Sequence, residues 1–143
     1  MTGQPDDRAS RRFDGHPPSG GGEQAEPAEP VTPAGWVPDR GEVIWLEFDP
    51  QAGREQAGRR PAVVLSPASY NAPTGRALCV PVSTRAKGYP FEVPLPDPFP
   101  VRGVAFADQV KCLDWRARFA RPVAALPPQL VATLLARTRT LLE

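Results

Sequence analysis

Two adjacent guanidinium groups, Arg59 and Arg60, stand between a glycine-bounded loop and an apolar strand, and in this 143-residue chain they are the pair best suited to hold a phosphate. The loop is Gly53-Arg54-Glu55-Gln56-Ala57-Gly58; its two glycines permit a sharp bend and close approach to a ligand, with a carboxylate, Glu55, between them. Pro61 follows at the mouth of the strand Ala62-Val63-Val64-Leu65-Ser66. Ser83, Thr84, Arg85, Lys87, Asp108, Gln109 and Lys111 also fall at strand ends or in loops, where a small barrel can converge side chains on one spot. The single histidine, His16, lies in the N-terminal stretch, which excludes a Ser-His-Asp triad or a histidine metal site from the remainder. No glycine-rich phosphate loop opens a helix. Taken alone, the same loop also fits a solvated hairpin connection, with Glu55 a surface partner for Arg54 or Arg59 and Ser83 and Thr84 capping a turn.

The elements that must position these groups are short strands. Ile44, Leu46 and Phe48 alternate with Trp45 and Glu47, which predicts a strand over 41–48 ended by Asp49-Pro50. The continuous apolar run Ala62–Leu65 predicts a central strand covered on both faces. A turn-rich segment, 66–75, leads to a third strand over 77–83, in which Pro81 marks a bulge or an edge. Further strands are expected at 91–95, 104–111 and 118–123, with 96–100 a proline-rich loop. After Pro127-Pro128 the period changes: Leu130, Leu134 and Leu141, with Val131, Leu135 and Leu142 beside them, predict an amphipathic helix whose stripe packs on the core. Strands followed by one helix predict a mainly β domain, a small, partly open barrel with a C-terminal helix. Trp45 and Trp115 are expected in the core or at a dimer interface.

Composition bounds the rest. Residues 1–35 are rich in Pro, Gly and charge and hold few large apolar side chains, so they read as a disordered tail, with the folded domain over 36–143. The net charge of +1 divides into a mildly acidic tail and a domain of net +4, which suits a polyanionic ligand. Cys79 and Cys112 sit in apolar runs without a Cys-x-x-Cys or His pairing, as buried, reduced thiols do. The N-terminus lacks a signal-peptide pattern and no apolar stretch reaches transmembrane length, so a cytoplasmic protein without a membrane partner is expected.

Four blocks carry a family resemblance. Glu42-Val43-Ile44-Trp45-Leu46-Glu47-Phe48-Asp49-Pro50, Glu55-Gln56-Ala57-Gly58 with Arg60-Pro61-Ala62-Val63-Val64-Leu65-Ser66-Pro67, Lys87-Gly88-Tyr89-Pro90-Phe91-Glu92-Val93, and Ala107-Asp108-Gln109-Val110-Lys111 with Trp115-Arg116-Ala117-Arg118 resemble the MazF/PemK toxin endoribonucleases, in order from about Pro38 onward. The resemblance implies an SH3-like barrel forming a homodimer, cleavage of single-stranded RNA at short motifs without metal or cofactor, and silencing by a cognate antitoxin. It implies that Arg60 is catalytic, with a hydroxyl at the end of the Cys-Val-Pro strand holding the scissile phosphate. This chain offers Ser83 there, followed by Thr84, and either can supply the hydroxyl. Glu55 is expected to orient Arg60 or share its proton traffic; Arg59, Thr84, Arg85, Lys87 and Gln109 are expected to contact RNA. Arg59 stands where relatives often have histidine. Two other classes fit the fold: a topoisomerase poison, which looks to a C-terminal Trp-Gly-Ile where this chain ends Leu141-Leu142-Glu143, and a passive RNA- or peptide-binding barrel.

Overall fold

The computed structural model describes residues 31–48 and 58–143. Among them run seven strands and two helices: β1 (Glu42–Glu47), β2 (Arg59–Val64), α1 (Ala68–Thr74), β3 (Arg76–Ser83), β4 (Glu92–Pro94), β5 (Val104–Phe106), β6 (Lys111–Asp114), β7 (Arg121–Ala125) and α2 (Pro128–Thr140). The strands form one antiparallel sheet in the order β4-β5-β3-β2-β1-β7, with β6 also on β3; it curls without closing. The expected partly open barrel with its terminal helix is what the chain adopts.

Each face of the sheet carries its own core, as strand alternation requires. Val43, Val63, Val80 and Val82 point to one side and pack with Leu134 of α2; Ile44, Leu46, Ala62, Val64 and Cys79 point to the other and pack with Leu113 and Trp115. β2 is therefore central, buried on both faces from Pro61 onward, between β1 and β3. Trp45 and Trp115 are core residues, 2% and 1% exposed.

β3 changes partners along its length. Arg76–Cys79 pair with β6 and Val82–Ser83 with β5, leaving Val80 and Pro81 paired on the β2 side alone. Pro81 thus stands in the gap between two neighbours, where its missing N–H leaves no ladder bond unmade.

Five expectations are corrected. The segment read as turns contains α1, which tolerates Pro73 near its end and stops at Gly75 in the left-handed region (φ 70°). Asn71 anchors it: buried, it accepts from Ser66 Oγ at 2.6 Å and donates to the carbonyls of Pro38 and Ser66. The single strand expected over 104–111 is two strands, because Ala107–Val110 turns to release the chain from β5 and pass it to β6. The following strand begins at Arg121 rather than 118, since 115–119 form a turn. Finally, Leu141 and Leu142 lie beyond α2 and are 50% and 77% exposed, and Cys112 is exposed while Cys79 is buried.

Candidate active site

Arg60 and Ser83 fall at the same end of the neighbouring strands β2 and β3, each two residues beyond their last paired positions. β2 and β3 pair at Val64–Cys79, Val63–Val80 and Ala62–Pro81, after which Arg60 pairs with Leu46 of β1 and Ser83 with Val104 of β5. By alternation both belong to the face of Ala62, Val64 and Cys79. Arg60 is half-buried at the start of β2. Ser83, 7% exposed, ends β3 and accepts the Arg85 N–H on its Oγ at 3.1 Å, a Ser turn that starts the following loop. Thr84 is half-buried beside it, and Arg85 and Lys87 are exposed on the loop.

Gly103 locks Ser83 from behind. It adopts φ 124°, and a Cβ there would lie 2.3 Å from the Ser83 carbonyl oxygen and 2.7 Å from its carbon. Only glycine permits β5 to approach so closely.

Two further cations stand near the same face. Lys111, opposite Cys79 in the β3–β6 ladder, holds its Nζ 5.3 Å from the Phe48 ring centroid. Arg118 donates from Nη1 to the carbonyl oxygens of Glu47 (2.7 Å) and Phe48 (3.3 Å). Lys111 was legible in sequence as a polar strand end and within a resemblance block, and Arg118 only within such a block, because its position depends on the turn at 115–119 crossing the end of β1.

Arg59 points elsewhere. Its guanidinium donates to the carbonyl oxygens of Phe119 (2.7 Å), Arg118 (3.1 Å) and Trp45 (3.4 Å), so it clamps the 118–119 turn to β1. The expected phosphate contact therefore comes with a structural duty that the sequence did not show. Phe119 itself takes a left-handed backbone (φ 56°).

Gln109, in the turn between β5 and β6, lies beside the Tyr89 end of the loop that Ser83 begins. The Tyr89 hydroxyl donates to Asp108 at 3.0 Å, its ring stacks on Phe106 at 6.3 Å, and Gln109 hydrogen bonds the same phenol. Desolvation first, then the Asp108 carboxylate, raises the Tyr89 phenol above its ordinary value. Glu55 lies outside the described residues. Among those described, no three His, Cys, Asp or Glu side chains gather as a metal site, and no helix is long and apolar enough to cross a membrane.

An open antiparallel sheet with a basic face at the β2–β3 junction defines a class of small toxin. The crystal structure of MazF from Deinococcus radiodurans superposes with a TM-score of 0.69 at 52% identity, covering 75% of this chain and 97% of that one. A MazE-MazF complex from the same organism gives 0.67 at 47% identity, covering 75% and 96%. The endoribonuclease toxin MazF of Escherichia coli K12 is 51% identical over 107 residues, 75% of this chain and 96% of that protein, and Escherichia coli PemK is 34% identical over 109 residues, covering 73% and 81%. Residues 39–142 match the family described as PemK-like, MazF-like toxin of type II toxin-antitoxin system, and the chain belongs to that family.

Proposed function

We propose that this chain is an endoribonuclease toxin that cuts single-stranded mRNA without a metal ion, arresting translation until a cognate antitoxin covers the site. What supports the reading is the placement of Arg60 and Ser83 at the same end of the adjacent strands β2 and β3, near Lys111 and Arg118, in a chain whose relatives are named endoribonucleases. The ribose 2′-oxygen attacks the adjacent phosphorus, the O2′–P bond forms, and the P–O5′ bond breaks. The 2′-hydroxyl proton passes to a protein base, a proton reaches the departing O5′, and the products are a 2′,3′-cyclic phosphate and a 5′-hydroxyl. Because ribose supplies the nucleophile, the protein needs to align it, move protons and stabilise charge on the phosphate oxygens. The same requirement selects RNA over DNA.

In this reading Arg60 clamps the phosphate and takes part in proton transfer, with Glu55 orienting it. A guanidinium is planar and suits two phosphate oxygens at once, whereas the hydroxyl of Ser83 or Thr84 donates to one. Arg85, Lys87 and Gln109 track the RNA on either side. The test is incubation of the pure protein with mixed-sequence RNA in EDTA and mapping of the ends: cyclic-phosphate ends absent from an Arg60→Ala control are expected, and cleavage no better than that control would refute the reading.

The homodimer has a natural face. A groove of about 530 Å³ is lined by Leu65, Tyr70, Leu78, Val110, Leu135 and Leu142, together with Arg40 and Arg139. Tyr70, Leu78, Val110 and Leu142 are each more than a third exposed, an apolar grouping unusual on a monomer. A second copy of the chain is the occupant this reading assigns. The antitoxin is a separate partner, supported by the solved MazE-MazF complexes of the relative and by the basic charge of the domain.

A further inference from the structure

Glu92 is the one carboxylate buried among the described residues, 8% exposed at the start of β4. A buried carboxylate is costly unless its oxygens are filled. Those of Glu92 accept two successive backbone N–H groups, Lys87 at 2.5 Å and Gly88 at 2.9 Å, with Gly88 in the left-handed region (φ 82°). The loop backbone is thus wrapped around an anion that the protein itself supplies. Beyond these amides the loop is fixed by Tyr89 on Asp108 and by Arg137 of α2 on the Pro90 carbonyl; before them it is fixed by Ser83.

We propose that Glu92 is a positioning residue for RNA: by gripping the Lys87 and Gly88 amides it presents Thr84, Arg85 and Lys87 along the RNA backbone leaving Ser83. The inference rests on the proposed role of that loop in holding RNA. Glu92 does not touch substrate, and its effect falls on binding more than on the chemical step.

The test compares Glu92→Gln, Gly88→Ala and Lys87→Ala in the full chain. The readouts are kcat and KM on a cleavable RNA, Kd and its salt dependence on the same RNA carrying a 2′-deoxy ribose at the scissile position, and amide exchange at residues 87 and 88. Glutamine keeps the volume of Glu92 and loses one acceptor. We expect faster exchange at one or both amides and Kd and KM raised on the order of tenfold, with kcat within about threefold. The salt slope should shallow by about one unit for each phosphate that is no longer neutralised. Gly88→Ala meets no atom within 4 Å but strains the same left-handed turn, so it should raise KM in the same way and serves if the glutamine variant does not fold. Unchanged Kd and KM in Glu92→Gln, or in Gly88→Ala where it stands in, alongside weakened binding by Lys87→Ala, would overturn the positioning role. Unchanged Kd in Lys87→Ala as well would overturn the loop's role in RNA binding, and with it this inference.

Discussion

The proposed function gives Arg60 the chemistry, whereas its neighbour Arg59 has a structural duty in the carbonyls it holds. Arg60→Ala should lower cleavage by at least about a hundredfold, as expected for loss of a group that stabilises transition-state charge. It should shift stability by no more than about 1 kcal/mol, as for a half-buried side chain at a strand end; cleavage and thermal melting measured on the same preparation check both. Arg59→Ala should do the reverse in part, lowering the melting temperature because the Trp45, Arg118 and Phe119 carbonyls lose their donor. The two thiols separate similarly. Burial pushes the Cys79 thiol up to about 12, so near neutral pH it stays protonated and shielded, whereas Cys112 is exposed. Iodoacetamide at neutral pH should therefore label Cys112 and leave Cys79 unmodified in the native state, as peptide mapping would show. The Tyr89 phenol, with its raised folded value, favours the neutral form; its contribution to the loop is complete below the ordinary tyrosine range and is lost as pH rises through the folded value.

At the scale of elements, the close approach of Gly103 to Ser83 is the most exposed to mutation. Gly103→Ala must displace backbone rather than a flexible side chain and hold a left-handed φ, so about 2–3 kcal/mol of destabilisation is expected from denaturant unfolding, with cleavage impaired in the folded fraction. Ser83→Ala should weaken cleavage more than Thr84→Ala, since Ser83 ends β3 on the side of the strand that neighbours β2; the opposite order would move the phosphate-holding hydroxyl to Thr84.

Much of this was legible in the sequence. β1, β2, β3 and α2 announce themselves by alternation or by period, and Arg60 and Ser83 stand out by residue type at the ends of two such strands. What escaped were features that local pattern does not encode. α1 hides in a segment whose Pro73 and Gly75 signal turns, and it is held by the tertiary bonds of Asn71. The break between β5 and β6 is missed because alternation continues across Asp108 and Gln109, while the turn is set by the passage from one part of β3 to another. Glu92 looked like an ordinary polar strand residue, since the bonds that bury it come from amides, which carry no side-chain signature.

For the whole molecule, the division of charge and of apolar surface matters more than any one pairing of residues. Leu142→Asp places a charge in the apolar groove proposed to seat a second copy and should convert the proposed dimer to monomer in light scattering while leaving the core around Leu134 intact. Removing residues 1–35 should leave cleavage unchanged, because the groups assigned to the site all lie after them; loss of activity would give that stretch a role it has not been assigned.

The change of partners along β3 also bears on when the toxin becomes dangerous to the cell that makes it. Arg60 and Ser83 are synthesised early, but Ser83 is held by Gly103 and Val104, and the first half of β3 waits for β6 at Lys111–Asp114. At about 5–20 residues per second, a ribosome takes several seconds to pass from Ser83 to the end of β7 at Ala125. Through that interval the emerging chain holds both groups without the geometry that sets one against the other. Nascent chains arrested with only residues 1–95 outside the tunnel should leave RNA uncut, and the same assay on released full-length chains should find it cleaved. Such a delay gives an antitoxin synthesised alongside time to meet its target before the first phosphate is attacked.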